Sequence, residues 1–388
     1  MSAAVEIQTH ASIRELGEAA YRSLVRPETP PFLRFEWLDA LERTGCVTPE
    51  RGWLPMHLAF RAGGELVAAA PAYAKGNSEG EFVFDHSWAR FAHGELGISY
   101  YPKLVVAVPF TPATGPRLLV KPGTSEAEIV DVFAVALARI CEQAGLSGAH
   151  VLFPSEQQAR ALGERGLLER HGVQYHWHNA GYATFDDFLA RFDAKRRHQI
   201  RRERRELEQR GVGLDVLTGS ELRVADADFC FDFYAVTVDK FPWGRRYLKR
   251  EFFEEVLATM PEALHVVVGV DRKSKRRLGG AFNLLGTDAL FGRYWGALVD
   301  VPFLHFNVCF YKGIEEAIAR GLGRFEPGAG GEHKRARGFE PTVTHSAHHL
   351  VDRRLRAAIA DYLSREVSAV DDEVEEADPV LKRLSLVK

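Results

Sequence analysis

Cysteine is scarce: the 388 residues contain four, Cys46, Cys141, Cys230 and Cys309. They stand far apart and form no CxxC, which argues against a zinc ribbon or a disulfide framework. We expect four buried free thiols in a reducing compartment. Net charge is also small, at −3 from 50 Lys+Arg and 53 Asp+Glu, which argues against DNA or RNA binding as the main activity. No run approaches 18 uncharged apolar residues, so no membrane span is expected. The opening "MSAAVEIQTHASIRELGEAA" lacks a basic segment followed by an apolar run, so we expect no secretory leader and a cytoplasmic location. The patterns GxxxxGK[ST] and HExxH are missing. Their absence removes a Walker phosphate loop and a zincin centre. "HSAHH" (345–349) gives His345, His348 and His349 helical ligand spacing, but no carboxylate pair accompanies them, and no metal is expected.

The composition present is that of a globular protein: 46% hydrophobic and 27% charged. The length suggests more than one domain. Near-neutrality conceals two blocks, a basic run "AKRRHQIRRERRELEQRG" (194–211) and an acidic tail "DDEVEEADP" (371–379) that reads as solvated surface.

Two windows resemble each other. "YYPKLVVAVPF" ends in Val108-Pro109-Phe110, and "RYWGALVDVPF" ends in Val301-Pro302-Phe303. After the first, Ser125 and Glu128 have capping-box spacing, and Ile129, Phe133, Leu137, Ile140 and Cys141 fall on one helical face that Gly145 ends. A strand "AHVLFP" and a helix "SEQQARALGERG" follow. After the second window, Phe306, Phe310, Ile314, Ala317 and Ile318 make a helical stripe ended by Gly321, then come a strand "GRFEPG" and a helix "EHKRARGF". Each window is preceded by a strand pair, the first turning at Gly63-Gly64. The order is hairpin, strand, helix, strand, helix, twice. We therefore expect a mixed α/β fold of two tandem domains, 1–180 and 181–388, each a mixed sheet flanked by helices, with the boundary near 178–185.

On a helix, Ile200 and Leu207 define the inner face of the basic run. Arg196, Arg197, Glu203 and Arg204 lie within about 60° of it, whereas Lys195, His198, Arg201, Arg202 and Arg205 point away. Arg204 with Glu208, and Arg202 with Glu206, have i,i+4 spacing for pairing. The outer arginines are explained by solvent. The inner ones need an acceptor, either a carboxylate of the protein or an anionic ligand. No aromatic residue lies between Lys195 and Gly211, so the run has no stacking platform for bases.

Two regions are dense in polar groups. In "FEPGAGGEHKRARGFEPT" (325–342), Glu326 ends a strand, and after a glycine-rich loop Glu332, His333, Lys334, Arg335 and Arg337 open a helix. Strand ends facing helix starts are where open α/β sheets place ligands. His305 begins the preceding helix as a capping residue or a site acid/base. In the first half, Asp85, His86, Trp88, His93, Tyr100, Tyr101 and Lys103 offer an aromatic-walled pocket with a carboxylate and a lysine, suited to a polar organic acceptor.

Together, "YYPKLVVAVPFTPATGPRLL", "KRRHQIRRERR", "GRYWG" and "EPGAGGEHKRARGFEPT" resemble the bacterial FemAB-like N-acyltransferases, over about 30–350. The resemblance implies tandem domains like the GCN5-related N-acetyltransferases (GNAT fold), and transfer of an acyl or aminoacyl group to an amine, in better-known relatives from aminoacyl-tRNA to a peptidoglycan precursor. It carries over His305, Glu326, His333, Lys334 and Arg337 as candidates. Arg293 and Trp295 of "GRYWG", and Asn307, join them as substrate-binding candidates beside Trp88, Tyr100, Tyr101, Lys103, Arg196 and Arg197. Two positions depart from the pattern: Asn307 stands where Glu is expected and Gly330 where Gln is, which implies a different substrate or reduced activity. Acetyl-CoA enzymes of this fold hold the donor pyrophosphate on a [QR]xxGx[GA] loop. The corresponding stretches here, "FTPATGPR" (110–117) and "DVPFLHFNV" (300–308), lack it. The expectation is an acyl donor as co-substrate with no bound cofactor, aminoacyl-tRNA being favoured over acyl-CoA, and an amine acceptor. Lys334 is the expected oxyanion stabiliser, with Glu326, His333 or Asp85 as base. An acyl-CoA transferase with a nonstandard donor site, and a non-catalytic binding module for a cell-wall precursor or tRNA, remain as alternatives.

Overall fold

The hairpin turning at Gly63-Gly64 sits as its sequence dictates. Both glycines have positive φ, 57° and 85°, as a two-residue turn between right-twisted strands requires. It joins strands His57–Ala62 and Glu65–Ala70. In this computed structural model, which describes residues 4–241 and 244–377, the chain divides into two units: Met1–Val173 with Thr342–Lys388, and Gln174–Pro341. The sequence reading put the boundary near 178–185 and everything after 181 in the second domain. The division instead lies at 173/174, and the chain from Thr342 onward belongs to the first unit.

In the first unit the hairpin pairs with Val5–His10 and Leu119–Val120 in a four-stranded antiparallel sheet. A second, mixed sheet runs Trp53–Pro55, Ala72–Lys75, Lys103–Val106, Gly148–Leu152, then residues 346–350. Lys103–Val106 and Gly148–Leu152 are parallel, so the link between them must cross over, and the helix Glu126–Ala144 makes that crossing. Ser125 caps the helix by accepting from the Glu128 N–H, and Gly145 ends it at φ 64°. Ile129, Phe133, Leu137 and Cys141 are buried in the core, with Ile140 packed against it.

The second unit repeats the plan. Strands Val212–Thr218, Leu264–Asp271, Arg277–Leu285 and Ala289–Ala297 are antiparallel neighbours. Arg324–Glu326 then adds in parallel to Ala289–Ala297, and residues 177–178 add antiparallel to it. The crossover is the helical run Leu304–Phe306, Asn307–Tyr311 and Lys312–Ala319, whose middle segment widens to a π-helix. The duplicated Val-Pro-Phe carries a structural signature: Phe110 and Phe303 both hold positive φ, 57° and 65°. That conformation is uncommon for a residue with a bulky side chain, and it recurs at matching places before the two crossovers.

Three local expectations are corrected. "EHKRARGF" forms not a full helix but a 3-10 segment, Glu332–Arg337, because Gly331 (φ 92°) and Gly338 (φ 87°) bracket it. "HSAHH" lies in the strand Glu340–Leu350 rather than on a helix. Cys309 is half-buried, whereas the other three thiols are buried. The acidic tail is partly structural: residues 371–377 end the helix Arg353–Ala377, and Asp371 accepts from or pairs with His171 Nδ1 at 2.7 Å. Its positions 378–379 lie outside the described residues. Among the described residues, no helix is long and apolar enough to cross a membrane, and no cluster of three His, Cys, Asp or Glu could hold a metal ion.

Candidate active site

The parallel strands Ala289–Ala297 and Arg324–Glu326 end beside the loop that sequence reasoning singled out. After Glu326 the chain turns at Pro327 so closely that a Cβ on Gly292 would stand 3.1 Å from the Pro327 Cα. Gly328, Gly330 and Gly331 then hold positive φ, which a side chain would resist. The loop leads into Glu332–Arg337, and the Lys334 side chain folds back over it. Its ammonium donates to the carbonyls of Gly328 (2.6 Å) and Ala329 (3.3 Å). No carboxylate pairs with Lys334 among the described residues, and burial lowers its pKa to about 8.

The His305 ring stacks on Trp295, centroids 4.0 Å apart and planes at 26°. Its nitrogens make no hydrogen bond to the protein among the described residues. Burial, then the positive charges of His333, Arg337, Lys334 and Lys240, lower its pKa to about 4. At neutral pH it is therefore an uncharged imidazole with an open acceptor nitrogen. His333 is exposed, its ring 6.0 Å from that of His305, and its pKa is lowered by burial and then by Lys334 and Arg337.

Arg337 is buried, with its guanidinium carbon 3.3 Å from the Phe306 ring centroid. It donates to the His333 carbonyl at 3.0 Å and to Glu203 at 3.3 and 3.4 Å. Glu203 comes from the basic helix Ala194–Gln209. It also accepts from Gln199 at 2.9 Å and from the Tyr311 hydroxyl, and its backbone carbonyl accepts from Asn307 at 3.1 Å. One carboxylate thus ties the basic helix, the π-helical segment and the 332–337 turn together.

The basic helix shows the predicted split. Lys195, His198, Arg201, Arg202 and Arg205 are exposed, and Arg196, Arg197 and Arg204 are partly buried. The inner three all find protein acceptors. Arg196 donates to Gln199 (2.9 Å), Arg197 to the Phe192 carbonyl (2.7 Å) and Arg204 to Glu315 (3.0 Å). Arg204 therefore reaches Glu315 instead of its expected partner Glu208, while Arg202–Glu206 forms at 3.4 Å. Asn307 is buried and spends its amide on Glu203 and on the Phe303 carbonyl (2.9 Å), a role in holding helices. Glu326 is also buried, accepting from Arg324 at 3.0 Å with His176 4.0 Å away. Arg293 is half-buried beside the Tyr294 ring.

In the first unit the predicted residues do assemble, but as a buried network. Lys103 is fully buried and donates to Ser78 (3.0 Å), Glu81 (2.8 Å) and Asp85. Tyr100 donates to the same Asp85 oxygen at 2.7 Å, and Tyr101 meets Ser78 at 2.8 Å. Burial would raise the Asp85 pKa, but Lys103 and then His150 outweigh it and hold it below the usual range. Burial raises Glu81 to about 7. Trp88 packs edge-on to His348, which contacts His150 through their Nδ1 atoms at 2.8 Å. The Asp85 Oδ2 is already taken by Lys103 and Tyr100, and this buried set reads as core. In the same unit, "FTPATGPR" is occupied by its own Arg117, buried and donating to Ala113 (2.6 Å), Gly115 (3.0 Å) and Leu152 (2.6 Å) carbonyls.

The family model for FemAB-like proteins, described as peptidoglycan biosynthesis/recognition, matches residues 12–381. The chain belongs to the FemAB-like family. No curated protein matches its sequence significantly. Among solved structures, FemX is similar at TM-score 0.51 and 10% identity, covering 92% of this chain and all of that one. The structure of L-PGS from Bacillus licheniformis is similar at TM-score 0.50 and 9% identity, covering 84% of this chain and 94% of that one. At such identity these likenesses show the fold, two tandem GNAT-like domains of mixed α/β class.

Sequence reasoning placed Glu203 on the inner helix face yet left it out of the site. The available signal was a lone acid beside buried apolar residues in a run of arginines, which implies a buried cation opposite. Phe306 and Tyr311 carried no such signal, because they read as ordinary members of an apolar stripe.

Proposed function

We propose that this FemAB-like protein is an N-acyltransferase of cell-wall-precursor metabolism, moving an acyl or aminoacyl group from an activated ester to an amine. His305 is the base. The His305 ring, stacked on Trp295 at 4.0 Å with His333 6.0 Å away and no hydrogen bond to the protein among the described residues, is the observation that carries the reading. The acceptor nitrogen attacks the ester carbonyl and gives its proton to His305. Lys334, whose ammonium keeps a third donor after bonding two loop carbonyls, stabilises the tetrahedral oxyanion. The C–O bond to the donor then breaks, and the departing alkoxide takes the proton from His305. Aminoacyl-tRNA is the favoured donor. Neither Val-Pro-Phe stretch offers a pyrophosphate loop, and the exposed face of the basic helix suits a phosphate backbone.

The test is mass spectrometry of amide products after incubation with mixed aminoacyl-tRNAs, or separately with acyl-CoAs, and a peptidoglycan-precursor amine. Amide formed only with aminoacyl-tRNA supports the reading. Amide from acyl-CoA alone would move the donor to that class, and binding of the precursor without any product would make the protein a recognition module.

A further inference from the structure

Among the described residues, the surroundings of His305 carry more positive charge than neighbouring carboxylates balance. Lys240, Lys334 and Arg337 act on that ring together with His333. The carboxylate hydrogen-bonded to any of them among the described residues is Glu203, already shared by Arg337, Tyr311 and Gln199. Donors are also left over. Arg337 is 7% exposed, and its Nε–H is buried without an acceptor. A buried donor left unpaired carries a desolvation penalty that an acceptor would relieve. Lys334 uses two of three ammonium hydrogens on the loop. Lys240 lies 6.0 Å from the Trp295 ring and forms no ion pair among the described residues. The aromatic faces are occupied, Trp295 by His305 and Phe306 by Arg337, so what the place lacks among the described residues is a negative group rather than another ring.

We infer that the Trp295–His305 step, bordered by Lys240, His333, Lys334 and Arg337, is a subsite for an oxyanion of the substrate, a phosphate or a carboxylate carried next to the reacting group. Its role rests on the transferase reading, but its occupancy can be measured without turnover. An oxyanion here would take the spare Nε–H of Arg337 as a charge-assisted bond, leaving the third Lys334 hydrogen to the reacting carbonyl.

The experiment is a titration at pH 7 of full-length protein carrying 13C-labelled histidine. The His305 and His333 signals are assigned through His305→Gln and His333→Gln, and inorganic phosphate and acetate are added in separate arms at constant ionic strength. Both signals should move saturably, and the tighter arm identifies the oxyanion. The double variant Arg337→Gln/Glu203→Gln removes the cation together with its buried partner, so no charge is stranded. It should weaken binding by about tenfold or more. Signals unmoved by either anion overturn the subsite. So does binding that survives unchanged in the double variant but is lost in Arg201→Ala/Arg205→Ala, which would locate it on the exposed helix face. Amide formation with silent signals would leave the transferase reading standing while removing the subsite. Binding without amide formation would do the reverse.

Discussion

Glu203 and Arg337, 134 residues apart in sequence, meet in the interior of the second unit through hydrogen bonds of 3.3 and 3.4 Å. The pair fixes the turn that carries His333 and Lys334. Removing one member strands the other. Glu203→Ala should therefore cost about 3–5 kcal/mol in urea unfolding, whereas Glu203→Gln/Arg337→Gln, which strands no charge, should cost less than the single change. A double variant as unstable as the single one would contradict this, assigning the loss to the pair itself rather than to a stranded charge.

This relationship also marks how far the sequence was legible. The duplicated plan could be read, because hairpin glycines, the Ser125 cap and the 3.6-residue stripes are local chemistry that survives folding. The division of the basic helix into solvated and inner arginines was readable for the same reason. The acceptors of those arginines were not, since Glu315, Gln199 and the Phe192 carbonyl meet them only through tertiary or backbone geometry. Asp85, Lys103, Tyr100 and Tyr101 were correctly grouped, but grouping does not distinguish a pocket from a core. That depended on Ser78 and Glu81, which bind Lys103 from outside the grouped residues. Glu326 looked available at a strand end and proved buried beside Arg324 and His176.

Lys334 should matter for its charge. Its pKa is lowered to about 8, so the ammonium is present below that pH and lost above it. Amide formation by the wild type should then fall as pH rises through about 8. Lys334→Arg keeps a cation at all these values and should lose that alkaline limb, although a guanidinium will not reproduce every contact. Lys334→Gln should be at least about tenfold slower throughout while unfolding at nearly the same temperature. An unaltered profile in both variants would remove Lys334 from the chemistry.

Acid should loosen the first unit through its histidine pair. His150 is held neutral by burial, then by Lys103, with its pKa lowered from 6.5 to about 3. Between those values the unfolded chain binds a proton that the folded chain does not. Stability is therefore intact above pH 6.5 and is lost progressively as pH falls toward 3. His150→Gln should flatten the dependence of unfolding free energy on pH by about 1.4 kcal/mol per unit in that window. Urea titrations at pH 7, 6 and 5 read this directly, and parallel curves for variant and wild type would contradict it.

The basic helix should separate into two behaviours. Arg204 pairs with Glu315 at partial exposure, so Arg204→Ala should cost no more than about 1 kcal/mol. Arg201→Ala/Arg205→Ala should leave stability unchanged within about 0.5 kcal/mol. The same double change should raise the KM for aminoacyl-tRNA at low salt, because those side chains face solvent. A KM unmoved at any salt concentration would leave the exposed face without a role in donor binding.

The most direct measurement is the pH dependence of single-turnover amide formation from aminoacyl-tRNA, wild type against His305→Gln. With His305 as base, the wild-type rate, corrected for the fraction of acceptor amine in its neutral form, should fall on the acid side only as pH approaches about 4, where the imidazole protonates. His305→Gln should lower the rate by about 100-fold or more at pH 7 and lose that acid limb. A His305→Gln enzyme that turns over at the wild-type rate, with the same profile, would contradict the assignment of the second unit's loop and helix start as the reacting centre.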